Sequence, residues 1–166
     1  MTKRIAILLL LFLQFDRTFS QSKKEIDSLL SVVNEIENSK SITSSPAAIK
    51  IIAYGGKVLP LLASYFQDTI KTHIKSDCQD ILLNKGEVAI IIADRIELMP
   101  YALLTGIENC LLQFCKDNPN WIEYYLVAIR RDGVKTFSRK YSDWLMSKDR
   151  KKWTSYVINK KKKKRF

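Results

Sequence analysis

Apolar residues return at steps of three and four over most of this 166-residue chain. That is the period of a helix with one buried face. Ile26, Leu29, Leu30, Val33 and Ile36 mark a first helix over residues 22–38, followed by a polar, Ser-rich loop to Ser45. Ser45-Pro46 is a helix start, because the hydroxyl can cap and Pro sits where no N–H is needed. Ile49, Ile52 and Ala53 form that helix's buried stripe, and Gly55-Gly56 stops it. Residues 57–67 read as the next helix, with Leu59, Leu62, Ala63 and Phe66 inward. Residues 68–84 carry Ile70, Ile74, Cys78, Ile81 and Leu82 at helical spacing. After a break at Asn84-Lys85-Gly86, residues 87–97 are apolar on nearly all sides, and Ala93 to Glu97 carry them past strand length, so a central buried helix is expected.

Leu103, Ile107, Cys110, Leu111 and Phe114 mark a further helix after Pro100. Another starts at Asn118-Pro119 and ends at Asp132-Gly133, and two more are carried by Phe137 to Leu145 and by Trp153, Tyr156 and Val157. About eight helices joined by short turns make an all-α fold. Five Gly and four Pro are too few for the turns of a sandwich or barrel.

The first twenty residues have the layout of a secretory signal peptide. Lys3 and Arg4 precede the apolar run Ile5 to Phe15, and Thr18-Phe19-Ser20 places small residues before a cut at Gln21. The run is short for a membrane span, which needs about 20 apolar residues. Export to the periplasm or cell exterior is the expectation. Residues 21–159 then form a single helical domain and residues 160–166 a basic, disordered tail.

The net charge of +11 is unevenly placed. Residues 21–147 hold 15 basic and 15 acidic side chains. Residues 148–166 carry +9, with Lys160, Lys161, Lys162, Lys163, Lys164 and Arg165 contributing most of it. A neutral body is no platform for nucleic acid. The cationic end is a candidate contact for an anionic envelope surface.

Cys78, Cys110 and Cys115 allow three single pairings. On one helix Cys110 and Cys115 would lie about 8–9 Å apart and diverge, beyond the reach of a disulfide. Any bond within the chain therefore uses Cys78, and Cys78–Cys110 is the expected pair, with three buried free thiols as the alternative.

Pro46 to Asp68, with Lys57-Val58-Leu59-Pro60-Leu61-Leu62 at its centre, resembles one helical hairpin of a HEAT-like repeat. Gly86-Glu87-Val88-Ala89 to Ile96 resembles the start of a second. The resemblance covers residues 46–97. It implies stacked helix pairs and a protein-binding role, and carries over no catalytic residue. The fold expected is thus an irregular helical bundle or a short array of HEAT-like αα-hairpins.

No constellation for chemistry stands out. His73 is the only histidine and lies on the polar side of its segment, away from the cysteines. Cys110 and Cys115 with one distant His lack the ligand spacing of a structural zinc site. No phosphate-binding Gly loop occurs, so no cofactor is expected. Glu87, Asp94 and Glu97 fall near one face of the central helix. A carboxylate pair is what glycoside cleavage needs, whereas charged residues on a helix ordinarily mark its wet face. The dense aromatic set from Trp121 to Tyr156 reads mainly as core, with one or two rings exposed. These observations point to an exported, non-enzymatic protein-binding module of inhibitor or immunity type. A cell-envelope hydrolase using the acidic residues, or a surface protein held by its cationic C-terminus, are the alternatives.

Overall fold

The computed structural model describes residues 23–107, 115 and 122–163. Helix α1 (residues 23–33) leads through a 3-10 helix, Ser39–Ser44, into α2 (Pro46–Ala53) and α3 (Leu59–Tyr65). A hairpin of β1 (Lys71–Lys75) and β2 (Leu82–Asn84) comes next. It is followed by α4 (Lys85–Ile96), α5 (Tyr101–Thr105), α6 (Ile122–Asp132), α7 (Val134–Met146) and α8 (Lys148–Lys163). The fold is mostly helical, as the periodicity predicts. Residues 1–22, on which the expected signal peptide falls, Cys110, Trp121, the Asn118-Pro119 start, Lys164 and Arg165 lie outside the described residues.

The centre of the molecule is α4. Every residue from Gly86 to Ala93 is buried, and α2, α3, α6 and the 3-10 helix all pack against it. Its start is a capping box: the Asn84 side chain accepts from the Glu87 N–H at 2.8 Å, and the Glu87 carboxylate accepts from the Asn84 N–H at 2.9 Å. Two N–H groups of the first turn that have no partner inside the helix are thereby satisfied. Ser45 caps α2 as expected, accepting from the Ala48 N–H at 3.2 Å. Gly55 then takes the left-handed backbone (φ 62°) that ends that unit.

One segment corrects the periodic reading. Residues 68–84 hold the antiparallel β1–β2 pair, with Lys71 opposite Asn84 and Lys75 opposite Leu82. A step of four also fits a strand, whose side chains alternate with period two. In β1, Thr72 and Ile74 point inward while Lys71, His73 and Lys75 face out. The strand puts Leu83, not Leu82, in the core. The far edge of β1 is covered by the chain after α1: the His73 N–H donates to Asn34 O at 3.2 Å and the Lys75 N–H to Glu37 O at 2.9 Å. That pairing explains why α1 ends at Val33 rather than reaching residue 38.

At the other end, α8 continues through Lys163. Lys160 to Lys163 thus fall within the helix span, consistent with the good helix propensity of Lys.

Candidate functional site

The three carboxylates on α4 have separate duties. Glu87, at the helix start, is an N-terminal cap and is buried rather than on the wet face. Its carboxylate also pairs with Arg130 of α6, whose Nη1 donates to Gln79 Oε1 at 2.8 Å. Glu97 lies ten residues on, about 15 Å along the helix. Arg150 of α8 grips it at both oxygens, Nε to Oε1 at 2.9 Å and Nη2 to Oε2 at 3.1 Å. These bonds to Glu97 raise the guanidinium pKa above its ordinary value. Asp94 accepts from the Met99 N–H at 2.9 Å, which turns the chain from α4 toward α5. Glu87 is thus remote from the other two, and Glu87 and Glu97 each serve as an anchor for an arginine of another helix.

A second buried polar centre had no signal in the spacing. Glu123, in the first turn of α6, is fully buried. It accepts hydrogen bonds from the hydroxyls of Ser39 and Ser76. Gln79 Nε2 donates to Glu123 O at 3.1 Å, and Lys40 N–H donates to Asp77 Oδ2 at 2.8 Å. Together these bonds pin the loop between β1 and β2 to α6 and to the 3-10 helix. Cys78 lies in that loop and is bonded to Cys115, with a Cα–Cα separation of 5.3 Å. The disulfide uses Cys78, as expected, but its partner is Cys115 and not Cys110. Moving Cys78 from a helix face to a hairpin loop removes the premise on which Cys110 was chosen.

His73 is solvent-exposed on β1, 3.9 Å from an oxygen of the equally exposed Glu35.

Among the described residues a cleft of about 980 Å³ is bounded by α4, α5, α6, α7 and α8. Ile91, Ile122, Tyr125 and Trp144 contribute to its lining, and Leu103 and Trp153 flank it. Tyr101 stacks on Tyr125 with ring centroids 4.1 Å apart and planes at 9°. Burial, and behind it the negative charge of Asp94, push the Tyr101 hydroxyl pKa well above the ordinary phenol value. The Trp153 indole N–H donates to Leu98 O at 2.7 Å, fastening α8 along one side. Arg95, exposed, and Lys152 put cations on the rim, with Asp149 3.3 Å from the Lys152 ammonium. Leu103 is 65% exposed, so apolar surface continues out of the cleft.

Comparison with known families, curated proteins and solved structures finds no match.

Of the aromatic set, Trp121 and the Tyr156 side chain lie outside what the structure describes. Phe137, Tyr141 and Trp144 are buried and form a stack with Phe66, while Trp153 is only partly covered. A volume of this size, mainly apolar and with a few charged groups at its edge, suits the binding of an apolar group or side-chain cluster.

Proposed function

We propose that this chain is an exported, non-enzymatic module that binds a protein partner through the cleft between α4, α5 and α8, in the manner of an inhibitor or immunity-type protein. The observation that carries the reading is the contrast between the acidic residues and the cleft. Glu87 and Glu97 are committed to arginines, whereas the cleft is lined mainly by apolar and aromatic side chains, with Asp94, Arg95, Asp149 and Lys152 as its charged groups. An interface core is built this way, with aromatic anchors and few charges at its centre. The HEAT-like reading of residues 46–97 belongs with this proposal and is supported by α2 and α3 both packing on α4. Export rests on the Lys3, Arg4 and Ile5 to Phe15 layout.

The test is capture from the native cell envelope with the wild-type chain and with Leu103→Asp, whose exposed position leaves folding intact. A specific protein retained by the wild type and bound at least tenfold more weakly by the variant supports the reading. Identical retention by both, or envelope-polymer hydrolysis that Asp94→Asn abolishes, overturns it.

A further inference from the structure

The charge of the C-terminal region is arranged by α8 into a face. Arg150, Trp153 and Thr154 are its partly buried positions, while Lys148, Lys151, Lys152 and Ser155 are exposed. The inward row is held firmly. Arg150 grips Glu97 and donates from Nη1 to Leu145 O at 3.2 Å. Trp153 bonds to Leu98 O, and the Arg150 guanidinium lies 6.0 Å from the Trp144 ring centroid. The opposite row is therefore presented on a fixed element.

The helix itself runs on through Lys163. Asp149 is the single acidic residue from 148 onward, and it sits beside Lys152. Immediately before α8, Met146 at the end of α7 is 88% exposed.

We propose that this outward face of α8 seats the protein on an anionic lipid surface, with Met146 as an apolar contact at its start. A basic helix with an adjoining apolar group matches the boundary between headgroups and acyl chains. A soluble polyanion offers the charge but no apolar layer for Met146. The remainder of the mature chain is neutral, so the attraction is local and orients the molecule. Among the described residues no helix is long and apolar enough to cross a membrane, and the association is peripheral. This inference does not depend on the protein-partner reading: Lys152 is shared with the rim of the cleft, but Lys148, Lys151 and Met146 are not part of its lining, and vesicle binding is read separately from partner capture.

Cosedimentation with vesicles tests it. Vesicles of phosphatidylglycerol mixed with phosphatidylcholine are compared with vesicles of phosphatidylcholine alone, using the full chain throughout. All variants keep residues 1–22, so the apolar run there contributes equally, and its part is read from the zwitterionic vesicles. Each lysine near an anionic surface is worth about fivefold in binding. The triple variant Lys148→Gln, Lys151→Gln, Lys152→Gln should lose on the order of 100-fold on anionic vesicles and nothing on zwitterionic ones. Raising salt from about 0.1 M to about 1 M shortens the Debye length from about 10 Å to about 3 Å and should abolish the difference between the vesicles. Met146→Ser should weaken vesicle binding and leave binding to heparin unchanged. The assignment is overturned if the triple variant binds anionic vesicles like the wild type. It is also overturned if Met146→Ser has no effect and heparin competes as well as the vesicles bind. Circular dichroism of each variant establishes that the helices are intact.

Discussion

Gly86→Ala tests whether α4 is held by a close backbone approach or merely by its own helicity. Gly86 is the second residue of α4, and its N–H donates to Asp68 O at 2.9 Å. A Cβ there would lie 2.2 Å from Phe66 O, 2.8 Å from Phe66 C and 3.0 Å from Asp68 O. Ordinary contact begins at 3.4 Å, so the carbonyl of Phe66 must retreat by about 1.2 Å. It has little room to do so, because the Phe66 ring is fixed between Phe137 and Tyr141 at centroid distances of 5.9 and 5.1 Å. Overpacking against backbone at the high end costs about 3 kcal/mol. Alanine is the better helix former by about 1 kcal/mol, which leaves a net loss of about 2 kcal/mol. At about 2–4 °C per kcal/mol for a domain of this size, the melting temperature should fall by about 4–8 °C. Urea unfolding should show a lower midpoint with an unchanged slope. A variant as stable as the wild type, or one made more stable by the helix-propensity gain, would refute the close approach.

Three further outcomes are expected. Cys115→Ser opens a loop of 37 residues and should cost up to about 4 kcal/mol on the chain-entropy account; non-reducing peptide mapping of the wild type should recover a Cys78–Cys115 peptide, and a Cys78–Cys110 peptide would contradict the structure. Glu97→Gln should destabilise by about 1.5–3 kcal/mol, because it takes a charge-assisted partner from Arg150; a double-mutant cycle with Arg150→Gln isolates the coupling, and a coupling near zero would show that the pair does not fasten α8. Burial raises the pKa of Tyr101 and of Tyr141 in the folded state. The stability they contribute is whole below the unfolded phenol pKa of about 10 and declines as pH climbs from there toward the folded values. Denaturation monitored between pH 9 and pH 12 should show this decline, and Tyr101→Phe should make it shallower.

The residues of α4 illustrate what a sequence can carry. Val88 to Ala93 are apolar on every side, and a segment without a polar face can only be internal. Ser45-Pro46 likewise states a helix start on its own, since a cap and a missing N–H act within a few residues.

Residues 68–84 mark where such reasoning fails. Ile70 and Ile74 satisfy a helical step and an even strand step equally. What selects the strand is the chain at Asn34 to Asn38, more than thirty residues earlier, which offers the carbonyls that the β1 N–H groups need. The error then carried into the thiols, because Cys78 in a hairpin loop has different neighbours from Cys78 on a helix.

Helix content, the central buried segment, the neutral body and the charged end were determined by the sequence alone, since each follows from composition or from contacts within a few residues. The hairpin, the Cys78–Cys115 bond, the Glu123 centre and the commitment of Glu87 and Glu97 to distant arginines were decided only by tertiary structure. The physical reason is that a buried polar group must find a partner wherever the fold brings one. Ser39, Ser76 and Glu123, or Glu97 and Arg150, are separated by tens of residues, and no period in the sequence encodes a meeting that depends on how whole helices pack.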